Sequence, residues 1–129
     1  MAQIKIYGLA PSLKPIQAQL SEVIHRCAQT ALGLPAEKRF HRFMGLERED
    51  FYYPSDRTEQ YLILEISLFE GRSVGTKKQL LRLLMQSIHA ELQIPLNDIE
   101  ITIFETPKAN WGIRGLPGDE LSLNYAVDI

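Results

Sequence analysis

The sequence contains one cysteine and no long uncharged apolar run, and each shortage excludes a class of protein. The lone Cys27 can form neither an intrachain disulfide nor a cysteine-based zinc site, which favours a reducing compartment. The apolar stretches have the length of strands and are interrupted by charge, so no segment is expected to span a membrane. Residues 1–5 lack the apolar run of a signal peptide, and we therefore expect a cytoplasmic protein.

An excess of either charge is also missing. The 14 Lys and Arg residues nearly balance the 16 Asp and Glu residues, which gives a formal charge of −2 and a pI near 5.9. This balance argues against a nucleic-acid partner, and Lys38, Arg39 and Arg42 do not share one face of a strand. The chain has 129 residues, of which 45% are hydrophobic. It is therefore expected to form a single domain over 1–129 with an ordinary core.

Two halves of the chain show the same succession of periodicities. Leu-Gly-Leu-Pro at 32–35 returns as Leu-Gln-Ile-Pro at 92–95, which is 60 positions later. In each half an alternating pattern gives way to a helical one and then returns. Thr76 and Gln79 suggest a capping box in the second helix. The predicted elements are strands over 3–9, 39–46, 61–69 and 99–103, and helices over 13–32 and 76–92.

A β-α-β order in each half predicts parallel strands joined by a crossover helix. Two such units predict an α/β (α+β) fold, in which a four-stranded mixed sheet carries both helices on one face. The expected division is a first repeat over about 2–46, a loop over 47–60, a second repeat over about 61–106 and a tail over 107–129. Residues 121–127 of this tail also look like a strand.

The register of the third predicted element, 39–46, needs an adjustment. The 60-residue offset places Arg39 and His41 where the second half has Ile99 and Ile101. Two polar residues would then face the helices, so we expect a one-residue slip or bulge near Arg39.

One face of the predicted sheet has no covering layer in the chain itself. Apolar residues such as Ile63 and Phe104 fall on that face, which predicts packing against other subunits. The loop over 47–60 is polar except for its stretch Phe51–Pro54. These aromatic residues either cover the edge of the sheet or serve as a lid or subunit contact.

Common catalytic motifs are missing from the sequence. It has no glycine-rich phosphate loop, no His-Glu-x-x-His and no Gly-x-Ser-x-Gly. His25, His41 and His89 lack the spacing of metal ligands, so we expect no metal site and no cofactor. Cys27 falls on the apolar face of a helix, where core packing is the expected role.

Two segments stand out as a candidate binding site. Arg72 lies between an apolar strand and a helix, where ligands bind in α/β units and where a guanidinium can hold a carboxylate. In residues 110–115, glycines allow a tight backbone path that would bring Trp111 and Arg114 to a pocket. The alternative is a surface turn with a packed tryptophan and solvated arginines.

These segments resemble 4-oxalocrotonate tautomerase over about 62–115. The resemblance lies in Glu-Gly-Arg-Ser at 70–73, a Lys-rich helix start, Leu-x-x-Pro, an apolar strand, Glu105 and Trp-Gly-Ile-Arg-Gly at 111–115. The duplication and the length resemble fused members of the superfamily such as malonate semialdehyde decarboxylase. The resemblance implies a homotrimer that works without a cofactor. In that family an N-terminal proline moves a proton on small 2-oxo or unsaturated acids, while arginines bind the carboxylate.

The resemblance implies roles for particular residues of this chain. Arg72 takes the position of the carboxylate-binding arginine, and Arg39, Trp111 and Arg114 are implied as further substrate contacts. Ala2 takes the position of the catalytic proline, and removal of Met1 would leave its primary amine as the acid or base.

Three further family positions carry different residues here. Lys38 replaces the acidic residue that activates water in the decarboxylase, and Glu70 replaces that enzyme's additional arginine. Glu100 replaces the second arginine of the tautomerases. Three functions therefore stay open: a divergent tautomerase, a non-catalytic protein that binds a small acid or a protein partner, and an enzyme in which Ala2 forms a Schiff base.

Overall fold

Four strands form the central sheet of the computed structural model, which describes residues 2–129. The strands are β1 (Ala2–Leu9), β2 (His41–Leu46), β3 (Leu62–Phe69) and β4 (Ile99–Thr106), arranged in the order β2-β1-β3-β4. β1 and β2 are parallel, β3 and β4 are parallel, and β1 and β3 are antiparallel. The predicted mixed sheet is thus confirmed. Met1, whose removal would free the Ala2 amine, lies outside the described residues.

The register of β2 corrects the slip that the sequence suggested near Arg39. Ile4 pairs with His41 on β2, and Leu64 pairs with Ile101 on β4, so the 60-residue offset holds without a bulge. His41 is accommodated because its Nδ1 lies 2.8 Å from the Ser21 hydroxyl oxygen. Arg39 precedes the strand, which begins at His41, and therefore does not have to face the helices.

The first helical region begins earlier than the sequence predicted. α1 (Ala10–Leu13) leads through a 3₁₀ turn over Lys14–Ile16 into α2 (Gln17–Leu32). Pro15 lies in that turn, where its missing N–H group interrupts regular helical bonding. Gly33 ends α2 in a left-handed conformation with φ of 66°, as its position after the apolar pattern predicted.

The second helix, α3 (Val74–Leu92), is capped by a residue other than the predicted one. Ser73 is the N-cap, and its side-chain oxygen accepts a hydrogen bond from the Thr76 amide at 3.1 Å. The capping box expected from Thr76 and Gln79 is therefore wrong. Both residues lie inside the helix, which begins at Val74 after the Ser73 cap, and the Ser73 hydroxyl satisfies the otherwise free amide of Thr76.

Both long helices pack on one face of the sheet, as predicted. Cys27 belongs to this core and is 2% exposed, in agreement with its expected packing role. Burying one Leu or Ile side chain in this core contributes about 1.5–3 kcal/mol. Fully buried core side chains come from both helices and from the two central strands, namely Ile6, Leu20, Ile24, Leu64, Ile66, Leu84 and Ile88. On the opposite face, Phe104 is 48% exposed.

The loop between β2 and β3 packs against one end of the sheet. Phe51 is buried and stacks on Tyr61 with ring centroids 5.6 Å apart, whereas Tyr52 is 90% exposed. The loop is also anchored by the buried Asp98, which precedes β4 and is 1% exposed. The Asp98 carboxylate accepts hydrogen bonds from the Thr58 amide at 2.8 Å and from the Thr58 hydroxyl.

The tail differs from the predicted strand over 121–127. Residues 121–127, which all lie within the described range, form no strand. A short hairpin, β5 (Gly112–Ile113) with β6 (Leu116–Pro117), precedes them. The alternating apolar residues Leu123, Tyr125 and Val127 instead pack around Phe69 at the end of β3. Side-chain packing rather than strand pairing explains their spacing.

None of the helices within residues 2–129 is long and apolar enough to cross a membrane.

Candidate functional site

Arg72 lies in the turn that connects β3 to α3, and its side chain is buried. Only 4% of the residue is exposed, and Nη1 donates to the Phe69 carbonyl oxygen at 3.4 Å. Neither Nε nor Nη2 has a hydrogen-bond partner among residues 2–129. Burial lowers the pKa of Arg72, and the nearby Tyr125, Glu105 and Asp128 oppose that effect. A guanidinium remains charged even so, because its ordinary pKa is far above neutrality.

The two unpartnered nitrogens of Arg72 define the chemistry that this position can perform. Nε and Nη2 lie on the same edge of the planar guanidinium, and this edge matches the two oxygens of a carboxylate. A buried donor without a partner costs about 1–3 kcal/mol. The edge is therefore destabilising in the free protein and becomes favourable when an acceptor with two oxygens occupies it.

Trp111 and Arg114 reach the same region from the tail. The Trp111 ring meets Phe69 edge to face, with centroids 5.0 Å apart and an interplanar angle of 73°. Arg114 is exposed at the tip of the β5–β6 hairpin and has a positive φ of 54°. Tyr125 lies within electrostatic range of both arginines. Burial raises the pKa of its hydroxyl, and the positive charges of Arg72 and Arg114 counteract this rise. The structure thus gathers Arg72, Trp111 and Arg114 around Phe69 and Tyr125.

Ala2 begins β1 at the same end of the sheet as the carboxyl end of β3, after which Arg72 follows. Its backbone pairs with Leu68 on β3, four positions before Arg72, and the residue is 5% exposed. Leu68 in turn pairs with Glu105 on β4. The Glu105 carboxylate is held by Lys77, whose Nζ lies 2.7 Å from Oε1.

Arg39 lies apart from the group around Arg72. Its Nη1 donates to Oε1 of Glu22 on α2 at 2.8 Å. The side chain borders a cavity of about 290 Å³ at the start of β2, with Gln3, Phe40, His41 and Arg42 as the other lining residues. Arg39 is therefore engaged by an acidic partner, and the strand that follows it, β2, lies on the opposite side of β1 from β3.

The three residues that depart from the family pattern have ordinary polar surroundings. Glu70 is exposed, and Lys38 is half-buried. The Glu100 carboxylate accepts from the Tyr61 hydroxyl at 2.9 Å and from Nη2 of Arg57 at 3.5 Å. A guanidinium from the loop over 47–60 thus lies beside the position where the tautomerases have their second arginine.

Sequence reasoning missed the contribution of residues 125–129, which we call the C-terminal segment. Ser73 and Thr76 both donate from their hydroxyls to the main-chain oxygen of Ile129, at 3.0 Å and 2.5 Å. Gly71 faces this segment so closely that a Cβ atom there would lie 2.7 Å from Oδ1 of Asp128. The alternation of apolar residues was the available signal, but it predicted a strand and gave no indication of the surface on which the segment packs.

Histidines and acidic residues do not assemble into a metal site. Across the described part of the chain, no group of three or more His, Cys, Asp or Glu residues is arranged to hold a metal ion. His25 is 4% exposed, and its Nε2 lies 2.8 Å from the Ala36 carbonyl oxygen. Nδ1 of His89 lies 2.7 Å from the Ile94 carbonyl oxygen. These histidines join loops to helices.

Comparison with known proteins identifies the family. The sequence profile of the family described as "Tautomerase enzyme" matches residues 38–114, which is more than half of the chain. The chain belongs to the tautomerase superfamily. The probable tautomerase YusQ of Bacillus subtilis (strain 168) is 24% identical over 98 residues, covering 72% of this chain and 77% of the relative. The 2-hydroxymuconate tautomerase of Pseudomonas putida is 33% identical over 57 residues, covering 44% of this chain and 90% of the relative.

Solved structures of tautomerase superfamily proteins share the fold. A native fused 4-OT superposes with a TM-score of 0.82 at 18% identity, covering 92% of this chain and 98% of the other. Malonate semialdehyde decarboxylase superposes with a TM-score of 0.79 at 19% identity, covering 92% and 99%. These likenesses confirm the predicted tautomerase-like α+β fold.

Proposed function

We propose that this chain is a tautomerase-type enzyme that moves a proton on a small 2-oxo or unsaturated carboxylic acid without a cofactor. The observation that carries the proposal is the unpartnered Nε and Nη2 edge of Arg72, which is buried beside the start of α3. A carboxylate on this edge forms two charge-assisted hydrogen bonds. Fixed cationic donors also stabilise the negative charge that develops on an enolate oxygen.

The proton-transfer group in this proposal is the α-amine of a chain whose first residue is Ala2. This residue begins β1 and pairs with Leu68, at the end of β3 that leads to Arg72. An α-amine titrates near 7.7–8.0, and nearby cations or burial lower that value towards that of a useful base. Arg114 supplies a further cation and Trp111 an apolar wall. Arg39 contributes a third guanidinium if its bond to Glu22 opens.

A homotrimer forms part of this proposal. Phe104 is 48% exposed and Ile63 is half-buried on the face of the sheet opposite the helices. Burial of this face between subunits removes apolar area from water. A fused 4-OT described as an asymmetric trimer shares the fold, with a TM-score of 0.80 at 23% identity. Assembly would also bring the surroundings of Glu100 and Arg57 towards neighbouring subunits.

The test is ketonisation of phenylenolpyruvate, followed as the loss of enol absorbance. We expect weak activity when Ala2 is the first residue, and almost none when Met1 or a tag precedes it. Ala2→Pro in the processed chain should raise the rate, because proline supplies a secondary amine. Arg72→Ala should lower kcat/KM by at least about tenfold through loss of the carboxylate contact. Equal rates in the processed, unprocessed and Ala2→Pro proteins would rule out the amine as the base.

A second candidate function is a non-catalytic carboxylate-binding protein. Two observations favour it: alanine stands at the position of the proline, and Arg72 is only 4% exposed. This candidate predicts binding of malonate that depends on Arg72, together with enol ketonisation at the background rate in every form of the protein.

A further inference from the structure

Tyr125 carries a third unpartnered donor of the site, in addition to Nε and Nη2 of Arg72. Its ring packs against Phe69 and Val127, and its hydroxyl oxygen is buried. In the part of the chain that the structure describes, this hydroxyl has no hydrogen-bond partner. It lies within electrostatic range of Arg72, whose Nε and Nη2 are also unpartnered. Three buried donors that lack acceptors therefore occur in one place.

We propose that the Tyr125 hydroxyl donates a hydrogen bond to the same carboxylate that Arg72 holds, which makes Tyr125 a ligand-binding residue of the site. This inference rests on the proposed function of Arg72. A carboxylate offers about four lone-pair positions, and the guanidinium fork uses two of them. The phenol then satisfies a third. One anion thus removes the cost of all three unpartnered donors.

The state of the phenol supports this role. Burial raises the pKa of Tyr125, so the hydroxyl stays protonated at neutral pH and can only act as a donor towards an anion. The charges of Arg72 and Arg114 oppose the rise without acting as acceptors, because a guanidinium has no lone pair to offer. The hydroxyl and the guanidiniums are therefore all donors, and a single bound carboxylate can accept from each of them.

The Tyr125 hydroxyl belongs to the segment that packs against the turn containing Arg72. Tyr125 is the first residue of the C-terminal segment. This segment continues through Val127 to Ile129, which accepts from the hydroxyls of Ser73 and Thr76. Arg72 is 4% exposed, and the adjacent Gly71 faces Val127 and Asp128 of this segment. We therefore expect the segment to lift when a ligand reaches the guanidinium. Return of the segment then brings the phenol onto the bound carboxylate.

A ligand-binding role and a structural role for the hydroxyl predict opposite effects of its removal. Tyr125→Phe keeps the ring and its packing on Phe69 and removes only the hydroxyl. If the hydroxyl serves the ligand, the free protein loses nothing, since the removed group had no partner to begin with. The cost then falls on binding alone.

The experiment is calorimetric titration of malonate into the wild-type protein and the variants Tyr125→Phe, Arg72→Lys and Tyr52→Phe. We expect Tyr125→Phe to weaken binding by about tenfold or more, as for a hydrogen bond to a charged group. Arg72→Lys, which keeps the charge and loses the fork, should also weaken it. Tyr52 is 90% exposed in the loop over 47–60, so Tyr52→Phe should bind as the wild type does.

Unfolding in urea without ligand completes the test. We expect the midpoint of Tyr125→Phe to equal or exceed that of the wild type. A lower midpoint, or wild-type affinity for malonate alongside weakened binding by Arg72→Lys, would overturn the role of Tyr125 and leave the proposed function standing. Wild-type affinity in both Tyr125→Phe and Arg72→Lys, or no binding by the wild type, would overturn the carboxylate site itself.

Discussion

The Thr76 hydroxyl donates to the main-chain oxygen of Ile129 across 2.5 Å, and this contact joins the first turn of α3 to the C-terminal segment. The start of a helix attracts negative charge and oxygen acceptors. In this protein an oxygen of the chain itself takes that place, with the Ser73 hydroxyl as a second donor at 3.0 Å. An incoming carboxylate therefore competes with Ile129 for the start of α3 as well as meeting Arg72.

Replacing Gly71 with alanine should release the C-terminal segment. Gly71 has a φ of 139°, and a Cβ atom there would lie 2.7 Å from Oδ1 of Asp128 and 2.9 Å from Cγ1 of Val127. Backbone strain and these contacts should together destabilise the protein by about 1–2 kcal/mol. Limited proteolysis with mass spectrometry should show faster cleavage within 125–129, and urea unfolding should show the loss of stability.

Gly75→Ala is the matched control for that substitution. Gly75 lies inside α3, and the nearest atom to an added Cβ is the Ser73 hydroxyl oxygen at 3.9 Å. Alanine in a helix is favoured over glycine by about 0.5–1 kcal/mol, so this variant should be slightly more stable and keep wild-type proteolysis. Equal proteolysis of the two variants would mean that the C-terminal segment does not depend on Gly71.

His41 makes the stability of the protein depend on pH. Burial, together with the charges of His25 and Arg39, lowers the pKa of His41 from 6.5 to about 4. Between those values the unfolded chain binds a proton that the folded chain does not, so stability falls as pH decreases from about 6.5 to about 4. The contribution should be about 1–2 kcal/mol, because solvent screens a partly exposed side chain.

Urea unfolding at pH 7, 5.5 and 4.5 measures this dependence. His41→Asn places a neutral polar group near the position of Nδ1, opposite the Ser21 hydroxyl, and cannot bind the proton. The difference in stability between the wild type and His41→Asn should therefore narrow or reverse at low pH. Parallel pH curves for the two proteins would show that another group is responsible for the acid sensitivity.

His41 also marks the limit of what the sequence reveals. Periodicity and the 60-residue offset correctly predicted the four strands of the main sheet, its two long helices and their arrangement, because apolar spacing directly reflects which faces are buried. The same alternation wrongly predicted a strand over 121–127. The offset also implied the correct register at His41, yet polar residues on that face suggested a slip. Sequence does not show that Ser21 lies 2.8 Å from the ring.

The proximity of candidate site residues was predictable to the extent that a motif contains them, whereas their roles stay predictions. Arg72, Trp111 and Arg114 belong to motifs, and the structure gathers them around Phe69. Tyr125 belongs to no motif, and the role that we propose for it depends on how the tail packs against the turn after β3. Such long-range packing leaves no local pattern, so it becomes visible only in three dimensions.

Asp98 should be among the most sensitive positions for the loop between β2 and β3. It is 1% exposed and accepts from both the amide and the hydroxyl of Thr58. Asp98→Ala leaves these two donors without their acceptor and should cost about 2–3 kcal/mol in urea unfolding. The neighbouring Asn97 is exposed and donates to the Asp56 carbonyl oxygen at 2.8 Å. Asn97→Ala should cost less than about 1 kcal/mol, and equal losses would contradict the anchoring role of Asp98.

Phe104 tests the proposed trimer. It lies in the row Gln3, Ser67 and Phe104 across the face of the sheet opposite the helices, and it is 48% exposed in one protomer. In a trimer that buries this face, Phe104→Asp places an unpaired charge at the interface, which is strongly unfavourable. Sedimentation velocity should show a trimer for the wild type and smaller species for Phe104→Asp at micromolar concentration.

Tyr52→Asp provides the comparison for the same charge on another exposed aromatic residue. Tyr52 is 90% exposed in the loop over 47–60 and lies outside the sheet face. This variant should sediment as the wild type does, because the charge stays in water. A wild-type monomer would contradict the trimer outright, since the open face would then be stable in solvent. A trimeric Phe104→Asp would place the interface elsewhere. Dissociation by both substitutions would indicate that the loop over 47–60 also contacts neighbouring subunits.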